Sequence, residues 1–184
     1  MPLPTIGRSS ALLTLLCVLA NSLAANGQTM PVVAERQTDM KEIAGAAKTI
    51  SDMFKTPETY SAERFKAAAR TISDRADRRL VDQFAKVTVA EGSKATDVIA
   101  TDHDRFAELA RDLKTYADAL SSAAERHPEA MSDDMLMKQG EAIGGGPLGT
   151  RVRSQASMSK LSAEHAFHLM LQTCTSCHSR FRSR

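Results

Sequence analysis

Residues 102–126 read DHDRFAELARDLKTYADALSSAAER. Phe106, Leu109, Leu113, Ala117, Leu120 and Ala124 recur at steps of three and four, with charged residues between them. That spacing is one apolar stripe on a helix. Pro128 lies just beyond, where a helix cannot continue. A one-sided helix must bury its stripe against other elements, so the flanking segments decide the fold class.

Upstream, VTVAEGSKATDVIATD (87–102) has weak periodicity, and Gly92 breaks it. It reads as a long connection rather than a strand. Before it, a helix over roughly 61–86 is expected, starting near Ser61 with Glu63 in its first turn. Phe65, Ala69, Ile72, Ala76 and Phe84 mark its inner face, although Arg79 interrupts the pattern. The charge run DRADRR (74–79) reads as a solvated face. Earlier still, Val33, Met40, Ala47 and Phe54 repeat at sevens, with Arg36, Ile43 and Ile50 as a second seam. A helix over 32–55 follows, and Thr56-Pro57-Glu58 ends it in a turn.

Downstream, residues 127–154 loosen into a flexible loop containing GEAIGGGPLG (140–149). A phosphate-cradling loop would need a following Lys-Ser or Lys-Thr, which GGGPLGTR lacks. Met131, Met135 and Met137 suggest a short amphipathic turn lying on the rest of the protein. A last helix is expected over 155–180, with Met158, Leu161, His165, Leu169 and Gln172 on one side. Four amphipathic helices, roughly 32–55, 61–86, 102–126 and 155–180, make an all-α antiparallel four-helix bundle the expected fold.

The whole chain has 184 residues, 24 Lys and Arg against 22 Asp and Glu, and 4% aromatics. No basic run is dense enough for a nucleic-acid partner. MPLPTIGR, then ALLTLLCVLANSLA (11–24), ends on Ser22-Leu23-Ala24. One positive charge, a short apolar run and small residues at the cleavage positions read as a secretory signal peptide over 1–24. The run is short for a bilayer span. Leu16 before Cys17 argues against lipidation. Residues 25–184 then form one exported domain, periplasmic in location.

Without the leader, only Cys174 and Cys177 remain, both inside CTSCHSRFRSR (174–184). Three chemistries use such a pair. A disulfide oxidoreductase places it after a strand in a βαβ pattern, and none precedes Cys174. Zinc needs four ligands; His165 or His168 would have to join Cys174, Cys177 and His178, and adjacent Cys177 and His178 suit one tetrahedral ion poorly. Haem c uses all three: two thioethers to the cysteines and iron on the histidine. On a helix, Cys174, Cys177 and His178 share one face. No methionine follows His178, so a sixth iron ligand would have to come from an upstream segment brought across to the last helix.

Three stretches resemble the cytochrome c′ family: RQTDMKEIAGAAKTISDMF (36–54), GSKATDVIATDHDRFAELARDL (92–113) and CTSCHSRFR (174–182). The family's up-down-up-down bundle is a standing example of the architecture, so that topology is what the resemblance implies. It further implies one covalent haem c on Cys174 and Cys177, with His178 on the iron. Met40 matches the position on the open side of the haem. In five-coordinate members that residue covers the metal, and in low-spin relatives a methionine there is the sixth ligand. Arg36 matches an arginine near a haem propionate, and Arg182 one near the proximal side. The chain departs from the pattern at Ala100, where tryptophan often follows the isoleucine matching Ile99. Its segment before the motif is also longer, and His165 and His168 are not family features.

The expected function is a periplasmic electron carrier with His178 and Met40 as metal ligands and a periplasmic or membrane redox partner. A five-coordinate haem binding nitric oxide or carbon monoxide is the alternative, and a zinc-stapled binding module a third. An enzyme would want a distal acid–base group, and no histidine matches the distal position, so a peroxidase is not favoured and an electron carrier or gas-binding haem protein is expected rather than an enzyme. The resemblance also implies a homodimer through the first two helices. Spacing alone leaves Met40 equally suited to be a core residue.

Overall fold

The computed structural model describes residues 29–85, 89–141 and 160–184. The leader over 1–24, loop residues 142–154 and Met158 lie outside the described residues. The helices are α1 (Thr29–Lys55), α2 (Ala62–Arg75), α3 (Asp77–Asp82), α4 (Val98–Thr101), α5 (His103–Arg126) and α6 (Ala163–Phe181), with a 3-10 turn at Pro57–Thr59. Among the described residues there is no strand, only a single antiparallel bridge between Ala95 and Arg182. The fold is an antiparallel four-helix bundle. α1 packs on α2, α2 and α3 on α5, and α5 on α6. No helix among the described residues is long and apolar enough to cross a membrane.

Two apolar clusters divide the interior. The larger joins all four long helices through Ile50, Phe65, Ile72, Leu120 and Met170, each essentially inaccessible. Phe65 meets Phe54 edge-on at 5.4 Å. The smaller cluster gathers Leu80, Ile99, Phe106, Leu109, Ala110 and Phe181 at the other end. Met40 touches both. All six stripe residues of α5 are buried. The methionine turn packs on the bundle, and Met135 enters the main cluster at 1% exposure. Its carbonyl accepts from Glu164 N–H at 2.9 Å, and the Glu164 carboxylate accepts from Met137 N–H at 2.7 Å. The turn is thereby tied to the start of α6.

Four expectations are corrected. The second helix is not continuous over 61–86. It stops at Arg75 and restarts at Asp77, whose φ is +52°. Aspartate is among the few non-glycine residues that visit this left-handed region. Beyond the break Leu80 is buried and Arg79 is exposed. Second, one seam of α1 is displaced. Arg36, Ile43 and Ile50 are buried as expected, and so is Val33, but the other buried row is Asp39, Ala46 and Met53, while Met40, Ala47 and Phe54 lie half-buried at the flank.

Third, α6 begins at Ala163, capped by the Ser162 hydroxyl accepting from His165 N–H at 3.2 Å; residues 160–162 are not helical. Its buried face is Ala163, Ala166, Phe167, Met170 and Thr173, while Gln172 is exposed. His165 is buried, where its ring meets Glu141 Oε1 at 2.6 Å. Fourth, DRADRR is not simply a solvated face. Arg79 donates two bonds of 3.0 Å to the Asp39 carboxylate, and Arg75 pairs with Glu42 and approaches Asp39 at 3.6 Å.

Candidate functional site

Helix α6 runs unbroken through Cys174, Cys177 and His178, so the three share one face as their spacing requires. After the helix, the chain is pinned to the connection before α4. Thr96 N–H donates to the Phe181 carbonyl at 3.0 Å, and Ser183 N–H donates to the Lys94 carbonyl at 2.8 Å. Phe181 then inserts into the smaller cluster, edge-on to Phe106 at 5.3 Å. Side-chain patterning carries no signal for these main-chain pairings, so they are not legible in the sequence.

Beside this end of α6 lies a cavity of about 350 Å³. α6 contributes Cys177, His178 and Phe181 to its wall; α1 contributes Val33, Arg36, Gln37, Met40 and Lys41. Leu80, Phe84, Ile99 and Phe106 complete an apolar lining, and Lys94 and Arg182 add positive charge. Of the six residues expected at the site, Met40, Arg36, Cys177, His178 and Arg182 line the cavity together. Cys174 lies one turn before Cys177, half-buried against the main cluster.

Burial raises the Cys174 thiol above its ordinary range. Burial, with Cys174 adding, pushes Cys177 up to about 11. Both are free thiols, protonated at neutral pH. Thiol–disulfide catalysts need the opposite, a depressed value that yields thiolate. Partial desolvation and then the Arg182 charge lower His178, favouring the neutral imidazole that a metal requires. Among the described residues no group of three or more His, Cys, Asp or Glu is placed to hold a metal ion. His165, a fourth ligand in the zinc reading, is engaged with Glu141 instead.

Arg36 is buried and turned along the wall. Its guanidinium donates to the Gln83 carbonyl, through Nε at 3.1 Å and through Nη2, and lies 4.0 Å from the centre of the Phe84 ring. Burial lowers its pKa. Arg182 is exposed, and its N–H donates to the His178 carbonyl at 3.2 Å. Burial works to raise the Asp39 carboxyl, but hydrogen bonds from Arg79 and Gln83 and the Arg79 and Arg75 charges together hold it below the usual range. Lys41, Lys94 and Gln83 also belong to this region and were not singled out from the sequence.

The residues present fit a haem. An apolar cavity suits the flat macrocycle, the lining cations suit its two carboxylates, and among the described residues no carboxylate lines the cavity. A helical bundle with such a cavity beside C-x-x-C-H defines a c-type cytochrome of the bundle class. The Cytochrome C' family model matches residues 31–142, and the chain belongs to the cytochrome c′ family, whose members bind haem c covalently. That match stops before Cys174, so the motif and the family assignment stand on different residues.

Solved structures agree on the fold. Cytochrome c′ from Thermochromatium tepidum is similar with a TM-score of 0.58 at 19% identity, over 84% of this chain and 95% of that one. A cytochrome c′ with an unusual ligand-controlled dimer dissociation gives 0.58 at 16%, over 84% and 95%. The nitric oxide complex of a mutant cytochrome c′ from Alcaligenes xylosoxidans gives 0.55 at 20%, over 83% and 94%. No curated protein sequence matches the chain.

Proposed function

We propose that this protein is a periplasmic electron carrier in which Cys174 and Cys177 hold haem c, His178 is one iron ligand and Met40 the other. The observation that carries this reading is that Met40 on α1 and His178 on α6 line the same cavity from different helices. When bound, the haem supplies a one-electron iron couple, and thioether ligation favours its ferrous form. The chain's own contribution is rigidity and exclusion of water. α1 and α6 hold their ligands on separate packed helices, and Phe84, Phe106 and Phe181 dry the lining. Arg182, Lys41 and Lys94 are the cations available to the haem carboxylates, with Arg36 beside them. Export through residues 1–24 would deliver the chain to the compartment where such motifs are loaded. A redox partner there and a homodimer through α1 and α2 belong to the same reading.

Binding of a diatomic gas is the second reading. Met40 is half-buried and carries an unbranched side chain, and a structural relative is described in complex with nitric oxide. In that reading Met40 covers the iron without binding it. Optical spectra of the ferric and ferrous protein, with and without carbon monoxide, separate the two. Electron transfer through His178 and Met40 expects a low-spin ferric wild type that Met40→Ala converts to high spin and opens to carbon monoxide. A wild type that is already high-spin and takes up carbon monoxide freely favours gas binding.

A further inference from the structure

Helix α1 carries two charges with almost no exposure, Arg36 at 5% and Asp39 at 3%. Charges taken out of water are costly unless well partnered. Both find partners at one residue on the far side of the seam. The Gln83 carbonyl accepts from Arg36, and Gln83 Nε2 donates to Asp39 Oδ2 at 2.7 Å. Arg79 adds its paired bonds to the same carboxylate.

Apolar patterning does not select the rotation of α1 by itself. The Ile43 and Ile50 row is flanked on one side by Val33, Met40, Ala47 and Phe54 and on the other by Ala46 and Met53. Each residue turns the helix by about 100°, so the two flanking rows are about 100° apart and a rotation of about half that decides which one is buried. Such a rotation would strand Asp39 and Arg36 without the partners they now have. A buried polar group that fixes register between competing apolar packings is the best-attested use of such groups. Met40 directly follows Asp39 and lies one turn after Arg36, so these anchors bracket it.

We propose that Asp39 and Gln83 are positioning residues that select the rotation of α1 presenting Met40 to the cavity beside His178. The inference rests on the role proposed above for Met40 and deepens it. Arg79 and Arg36 hold the same arrangement from either side.

The test uses the exported, haem-loaded chain. Asp39→Asn, Gln83→Ala and Met40→Ala are compared with Asp118→Asn. Asp118 belongs to a separate α2–α5 contact, where it accepts from Ser73 Oγ at 2.5 Å and Lys114 Nζ at 3.1 Å. The readouts are the low-spin ferric fraction, carbon monoxide affinity of the ferrous form, and the melting temperature. Asp39→Asn is expected to lose low-spin character and to gain carbon monoxide affinity by about tenfold or more. Gln83→Ala should move the same way by less; Gln83 is half-exposed, so this variant serves if Asp39→Asn does not fold. Asp118→Asn should lower the melting temperature without moving either spectroscopic readout. Asp39→Asn and Gln83→Ala behaving like Asp118→Asn, while Met40→Ala changes both spectroscopic readouts, overturns the positioning role alone. Met40→Ala matching the wild type removes the role of Met40, and this inference falls with it.

Discussion

Replacing Phe181 by alanine tests how the end of α6 is held. The ring is 3% exposed and meets Phe106 at 5.3 Å and 84°, while Phe106 meets Phe84 at 5.1 Å and 73°. Removing a buried phenylalanine costs about 3–5 kcal/mol in lost transfer and residual cavity. About 0.5–1.5 kcal/mol of that belongs to the edge-on ring contact. In a domain of this size each kcal/mol moves the melting temperature by about 2–4 °C, so a fall of about 10 °C is expected. Phe181→Leu keeps most of the volume and should cost less than about 1.5 kcal/mol. Urea titration followed by helical circular dichroism gives both numbers. The loss should be accompanied by loosening of the Thr96–Phe181 and Lys94–Ser183 bonds, seen as faster amide exchange at Thr96 and Ser183. A Phe181→Ala variant destabilised by less than about 1 kcal/mol would refute the claim that this ring locks the motif helix onto the smaller cluster.

Two further predictions concern the backbone break and the loop anchor. Asp77→Gly should be neutral or slightly stabilising, because glycine adopts positive φ freely, whereas Asp77→Ile should cost about 1–2 kcal/mol; equal urea midpoints for the two variants would contradict the assigned conformation. The hydrogen bond with His165, reinforced by Lys138 N–H, holds the Glu141 carboxyl below its usual range. A depressed carboxyl stabilises the fold above its unfolded pKa, and that contribution is lost as pH falls through its folded value. The gap in melting temperature between wild type and Glu141→Gln should therefore be widest at neutral pH and close in acid; a gap independent of pH would contradict the contact.

The fold class and the site were legible where one residue type at one spacing carried the signal. The α5 stripe and the Cys174-Cys177-His178 face are of that kind, since helical geometry alone brings those residues together. What stayed hidden depends on long-range partners. Asp39 scores as a surface residue until Arg79 and Gln83 are placed across from it, and so one of the two α1 seams lies a row away from its expected place while Arg36, Ile43 and Ile50 hold theirs. Arg79 looked like an interruption for the same reason. The break at Asp77 has no glycine or proline to announce it. Helix α6 was turned because His165 and Leu169 fall at apolar spacing, whereas Ala163 and Ala166 contribute little side-chain signal although they are buried. Met40 was placed near His178 by resemblance, and the cavity brings the two together.

Denaturing mass spectrometry of the exported protein bears most directly on the covalent haem. The expected result is a single species carrying one haem that survives acid extraction, and a Cys174→Ala, Cys177→Ala double variant from which all pigment is released. A correctly exported, folded wild type whose mass equals that of the bare polypeptide would contradict the account.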